Sequence, residues 1–233
     1  MNIHTTRDGK VTVAVINAGV SDPSSTRLLA DRIAQRTVDA LRESGTQATV
    51  SVIDLAPLAV DIARSLVSGF ANEPVQMAIE RLAAADAVIA STPVYKAGIS
   101  GLFKSFADLI DNDLLIAKPV ILAATGGTAR HAMVVDEHLR PLFAFLRAVP
   151  VPTSLYAAPE DWGSPDLGKR INRAAAELTT MIRSGASRDI ADGNWAGYQH
   201  HFGGNAARAE RTVEDVDFTS DLMRLAAGGR PAR

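Results

Sequence analysis

The 233-residue sequence predicts an α/β fold, a doubly wound parallel sheet with helices on both faces. Short apolar runs rich in β-branched residues alternate with amphipathic segments of helical period. The runs are nearly continuous rather than alternating, as in strands covered on both faces. The connections are short, which favours right-handed βαβ units.

The first run is Val11-Thr12-Val13-Ala14-Val15-Ile16, followed by the turn-forming stretch from Asn17 to Ser25. A helix then starts near Ser24 or Ser25, either of which can cap it. Leu29, Ile33, Thr37 and Leu41 form its apolar stripe, and Gly45 marks its end. A second strand is expected over Thr49–Leu55, then a less regular stretch and a helix around Pro74–Ala85. Ala87–Ala90 reads as a third strand ending at Ser91-Thr92-Pro93, with a helical pattern from Ile99 to Leu109. Val120–Ala124 is the fourth strand, closed by Thr125-Gly126-Gly127-Thr128. A helix over Met133–Phe145, a fifth strand near Val151–Tyr156 and a last helix over Asp166–Arg183 complete the alternation. Residues 1–183 are therefore read as one domain. Residues 184–233 change character and read as a C-terminal arm. It holds Trp195, Tyr198, His200 and His201, then the apolar stripe Phe218, Leu222 and Leu225, and it is expected to pack on a neighbouring subunit.

Composition narrows the chemistry. Hydrophobic residues make up 47% of the chain, enough for a sizeable core. Without cysteine there are no disulfides, thiolate nucleophiles or iron–sulfur ligands, so any electrons must be carried by an organic cofactor. A net charge of −2 with no basic block gives no case for nucleic acid. No apolar run approaches the ~18 residues of a membrane span, and Met1–Lys10 lacks the apolar core of a signal peptide. The expectation is a cytoplasmic protein with no membrane association.

Three strand-end loops would open on the carboxyl edge of the sheet, where ligands bind in such folds. In the first, Ser21, Ser24, Ser25 and Thr26 offer hydroxyls at a helix N-terminus, and Arg27 offers charge. It lacks both the Gly-Lys-Ser/Thr ending of a P-loop and the three-glycine dinucleotide fingerprint, which suits a phosphate monoester. Read alone, the loop supports equally an anion site and a capped turn. In the second, Pro93-Val94-Tyr95-Lys96 followed by a Gly-containing approach to a helix brings backbone groups and an aromatic face near a flat ligand. Leu102, Phe106 and Leu109 are read as core.

These loops carry a resemblance. Residues 17–27, Thr92–Lys96 with Ser100–Lys104, and Ala124–His131 occur in this order. Together they resemble the NAD(P)H-dependent FMN reductases, flavodoxin-like proteins whose sheet has five strands in the order 2-1-3-4-5. The likeness spans roughly residues 11 to 183 and is strongest to the branch that works beside luciferase-like flavin-dependent monooxygenases. It implies FMN as cofactor, NADPH or NADH as donor, reduced flavin passed to a partner monooxygenase, and a homodimer or homotetramer. It places the FMN phosphate against Ser21, Ser24, Ser25 and Thr26, and the isoalloxazine edge against Pro93, Val94, Tyr95 and Lys96. Thr125, Gly126 and Gly127 would approach the ring. The family often has Ser where Gly98 stands, so no hydroxyl contact is assigned there.

For His131 two readings stand: facing the flavin or nicotinamide, or capping a helix or meeting a subunit. His138, seven residues on, would share a helix face with it. No metal site is expected: His200-His201 reads as a surface pair, and Asp108, Asp111 and Asp113 as solvated or capping carboxylates. Two alternatives accompany the reductase reading. One is an enzyme that keeps its FMN and reduces quinones, azo dyes or metal oxyanions. The other is a flavodoxin-type electron carrier, against which the near-neutral charge argues.

Overall fold

The computed structural model describes residues 10–194; the terminal arm's aromatic and leucine positions from Trp195 to Leu225 lie outside them. A parallel sheet is built from β1 (Lys10–Asn17), β2 (Gln47–Asp54), β3 (Ala87–Tyr95) and β5 (Pro119–Thr125). They stand in the spatial order β2-β1-β3-β5. The fifth position is shared by two short strands, β6 (Val149–Pro150) and β7 (Leu155–Ala157), both parallel to β5. Counting that shared edge as one strand gives the expected order. A two-residue β4 (Gly98–Ile99) folds back antiparallel on the end of β3.

Both faces of the sheet are covered, which is why its strands read as continuous apolar runs. Successive side chains of β1 point to opposite sides. Val13 and Val15 enter a core with Leu29 and Ile33 of α1 (Ser25–Glu43) and Ile171 and Leu178 of α6 (Pro165–Ser184). Ala14 and Ile16 enter the opposite core. There they meet Ile62 of α2 (Ala59–Ser68), Ile79 of α3 (Glu73–Ala84), Phe103 of α4 (Gly101–Ala107) and Phe143 of α5 (Arg140–Phe145). A last helix, α7 (Ala186–Asn194), follows Gly185, which closes α6 with a left-handed φ of 72°.

Several elements differ from the sequence expectation, each for a local reason. The stretch after β2 contains α2. Its start lacks a capping side chain, and Val60 and Val67 point outward (62% and 92% exposed), so its amphipathic pattern is blurred. The helix expected over Met133–Phe145 is broken into a π turn, Val135–Leu139, and α5. Pro141 has no N–H to give the carbonyl four residues back, so α-helical bonding cannot run through it. His131 lies in a separate 3₁₀ turn, Ala129–His131, so it shares no helix face with His138. The fifth strand is interrupted between Pro150 and Leu155, where Pro152 also lacks a ladder donor. Side chains hold that gap: Thr153 gives its N–H and hydroxyl to the Glu177 carboxylate (2.9 and 2.8 Å), and Arg140 donates to the Val151 carbonyl (3.2 Å). Among the described residues no helix is long and apolar enough to cross a membrane.

At the amino edge of the sheet, Lys118 Nζ donates to the carbonyls of Ala83 and Ala85 (2.5 Å each), closing the end of α3. Burial pushes this amine down from 10.5 to about 8, against the pull of Asp86. The unfolded chain therefore binds the proton more tightly, so stability rises as pH climbs from about 8 towards 10.5. Urea midpoints of the parent and Lys118→Met should show the parent gaining on the variant across that window; a pH-independent gap would contradict the assignment.

Candidate functional site

Parallel register brings the ends of the strands to one edge. Asn17 pairs with Asp54 on one side and Ser91 on the other, and Pro93 pairs with Thr125. The strand order reverses between β1 and β3, so the loops after those two strands flank the switch point.

The first loop is shaped by a polar chain. The Gly19 N–H donates to Asn17 Oδ1 (3.2 Å), and Asn17 Nδ2 donates to Asp54 Oδ1 (2.7 Å). Gly19 is required here, because a Cβ would lie 2.1 Å from Ser24 Oγ. Ser24 caps α1, its Oγ accepting from the Arg27 N–H at 3.2 Å. The N–H groups of Ser25 and Thr26 lie in the same first turn, where helix geometry supplies no partner. Ser21 and Ser25 are exposed and Ser24 half-buried. Arg27 is turned to carboxylates, with Nε on Asp31 (2.8 Å) and Nη1 on Asp54 (2.7 Å). The hydrogen bond it donates to Asp31, helped by the charge of Asp54, raises its pKa.

Thr26 takes a different part from its three neighbours. Its side chain is buried, and its hydroxyl meets that of Thr125 at 2.7 Å, tying the first loop to the third. Ser91 Oγ donates to the Thr26 carbonyl (3.2 Å), and the Ala18 N–H to the Ser91 carbonyl (3.0 Å), tying the first loop to β3.

The second loop is a tight hairpin. Tyr95 pairs with Gly98, leaving Lys96 (φ 51°) and Ala97 (φ 62°) as the two turn residues. Such turns ordinarily take Asn-Gly or Gly-Gly, since both positions lie in the left-handed region. The hairpin is anchored by Thr92 Oγ1, which accepts from the Ser100 N–H at 3.1 Å, while Ser100 Oγ caps α4 at the Phe103 N–H. Pro93 is buried, Val94 half-buried, and Tyr95 is half exposed with Lys96 beyond it. The His138 ring stands beside the turn: a Cβ on Gly98 would lie 3.8 Å from its Cε1. The sequence pattern did not single this contact out.

In the third loop, Gly126 donates its N–H to Ala157 (3.2 Å), and Tyr156 gives its hydroxyl to the Thr128 carbonyl at 2.6 Å. A Cβ on Gly126 would lie 2.2 Å from that hydroxyl, so glycine is required for the close approach. Burial, with Glu160 and Asp161, raises the Tyr156 pKa and keeps it a donor. Gly127 is open to solvent, and His131 is half-buried. Of the acidic residues near α4, Asp108 pairs with Lys104 (2.5 Å), Asp113 with Arg147, and Asp111 accepts from the Asp113 N–H (2.9 Å). Among the described residues no cluster of three His, Asp or Glu side chains could hold a metal ion.

The edge thus presents hydroxyls and two N–H groups at a helix start, a strained hairpin carrying an exposed aromatic, and an open glycine turn. Thr26→Val should cost about 1–3 kcal/mol in urea unfolding, since it strands the Thr125 hydroxyl in the core. Thr26→Val with Thr125→Val should recover most of that loss; a double-variant cost equal to the sum of the two single costs would show that the bond couples nothing. Ala97→Gly should raise stability by about 1 kcal/mol by relieving the left-handed backbone, and a loss of stability would contradict the strain.

A family model described as NADPH-dependent FMN reductase matches residues 11–163. The chain is similar to an FMN reductase (NADPH) of Pseudomonas aeruginosa, 35% identical over 182 residues, covering 75% of this chain and 94% of that one. It is also similar to the NADH-dependent FMN reductase SfnE of Pseudomonas putida, 34% identical over 178 residues, covering 76% and 90%. Among solved structures, an oxidoreductase from Corynebacterium diphtheriae superposes with a TM-score of 0.72 at 43% identity, covering 75% of this chain and 97% of that one. The chain belongs to the NADPH-dependent FMN reductase family.

Proposed function

We propose that this NAD(P)H-dependent FMN reductase holds its flavin across the three loops of the carboxyl edge and releases it, once reduced, to a partner monooxygenase. The observation that carries the placement is the first turn of α1. There the N–H groups of Ser25 and Thr26 have no intrahelical partner, beside the exposed Ser21 and Ser25 and the half-buried Ser24 at a helix N-terminus. Ser24 Oγ accepts from Arg27 and keeps its own proton to donate. Thr26 contributes its N–H, because its hydroxyl is spent on Thr125. That donor set suits a phosphate monoester.

The ring edge lies along Pro93, Val94, Tyr95 and Lys96. Val94 and Tyr95 supply apolar surface, and the Lys96–Ala97 turn presents backbone groups that no regular strand would expose. Thr125, Gly126 and Gly127 complete the wall, with Tyr156 holding their loop in place. Bound FMN supplies the hydride chemistry itself, taking it from NADH or NADPH. The chain's part is to orient the ring and leave one face open to the nicotinamide, beside Gly127 and His131. No protein base is needed for this transfer. The chain works as a cytoplasmic homodimer or homotetramer.

Oxidation of NADH and of NADPH, measured with free FMN, FAD and a quinone as acceptors, should favour free FMN. A quinone that outcompetes FMN, with flavin retained through purification, would replace the releasing enzyme by a flavin-retaining one. Ser24→Ala with Ser25→Ala should weaken FMN binding about tenfold or more while leaving riboflavin binding unchanged. Unchanged FMN affinity would overturn the phosphate placement.

A further inference from the structure

The first turn of α1 contains one cation, Arg27, three residues past the cap. A guanidinium there is well placed to pair with a phosphate at the helix start, and bidentate arginine is the usual strong partner of that group. The structure turns it elsewhere. Arg27 Nε is bonded to Asp31 at 2.8 Å, one helical turn further on, and Nη1 to Asp54 at 2.7 Å, at the end of β2. Two carboxylates therefore outweigh one guanidinium, and Asp22 adds a further exposed acid within the loop.

Asp54 is itself held in place by Asn17 Nδ2 at 2.7 Å, so this orientation of Arg27 is built into the strand ends. Asp31, by contrast, has a half-exposed side chain on the outer face of α1 and accepts from Arg27. It can be altered without touching the loop.

We propose that Asp31 and Asp54 withhold Arg27 from the flavin phosphate, so that the cradle grips FMN with neutral donors and lets it go readily. The inference rests on the phosphate placement above. A neutral cradle beside excess negative charge binds a phosphate dianion weakly, which suits an enzyme that passes its flavin on. The cation needed for a tight grip is present but occupied.

FMN affinity, read by flavin fluorescence quenching, and FMN dissociation, read by stopped flow, test this in the full-length protein, with riboflavin as the phosphate-free control. Asp31→Asn should tighten FMN about three- to tenfold, slow its dissociation in proportion, and leave riboflavin unchanged. Arg27→Ala alone should alter FMN affinity less than about twofold, yet in combination with Asp31→Asn it should erase the gain. A gain that survives Arg27→Ala would overturn the proposal, because removing a negative charge would then suffice. So would a tenfold loss from Arg27→Ala alone, since Arg27 would already be holding the phosphate, and so would an Asp31→Asn protein that binds FMN no more tightly. The Ser24→Ala, Ser25→Ala protein separates the two levels. If it loses FMN affinity while Asp31→Asn gains none, the placement stands and the withholding fails; if it loses nothing, both fall.

Discussion

A series of buried hydroxyls runs along the carboxyl edge of the sheet and joins loops that are far apart in the chain. Thr26 meets Thr125 across 99 residues, Ser91 reaches the Thr26 carbonyl across 65, and Thr92 meets Ser100 at the hairpin. These groups sit at strand ends, where the parallel ladder stops and backbone bonding no longer dictates loop shape. Buried polar groups must be paired, and here they are paired with one another. The consequence is a fixed spacing between the start of α1, the hairpin after β3 and the glycine turn after β5. A flat ligand with a phosphate tail needs that spacing, and neither the hydrophobic cores nor the sheet register would set it to within a hydrogen bond.

Around this frame the chain accepts local costs. Lys96 and Ala97 occupy left-handed backbone that suits neither residue. Gly19 and Gly126 leave no room for a side chain, because Ser24 and Tyr156 press against them. Arg27 is engaged by two acids rather than left facing the loop. These departures from local preference lie on the same edge, whereas β1, β3 and β5 below them follow ordinary burial rules.

Much of this was legible in the sequence, and the limits have physical causes. Unbroken apolar runs such as Val11–Ile16 announced strands covered on both faces, and Ser24 announced a helix start; both depend on neighbours a few residues away. The role of Arg27 was not legible, because its partners combine a residue one helical turn on with Asp54, 27 residues on. The hydroxyl of Thr26 looked like its serine neighbours until the fold placed Thr125 opposite it. Helix α2 escaped because Val60 and Val67 face outward, and the break before α5 because the pattern from Met133 to Phe145 is apolar enough to hide what Pro141 does to hydrogen bonding. His138 came to the hairpin through a π turn, a register that a 3.6-residue pattern does not forecast.

The account stands or falls on where the phosphate of the flavin lies. Amide chemical shifts of the labelled protein, titrated with FMN and separately with riboflavin, address this directly. The Ser25 and Thr26 N–H resonances should move with FMN and stay nearly still with riboflavin, while those around Val94 to Ala97 move with both. Equal shifts at Ser25 and Thr26 with the two flavins, or none with either, would remove the phosphate from the first turn of α1.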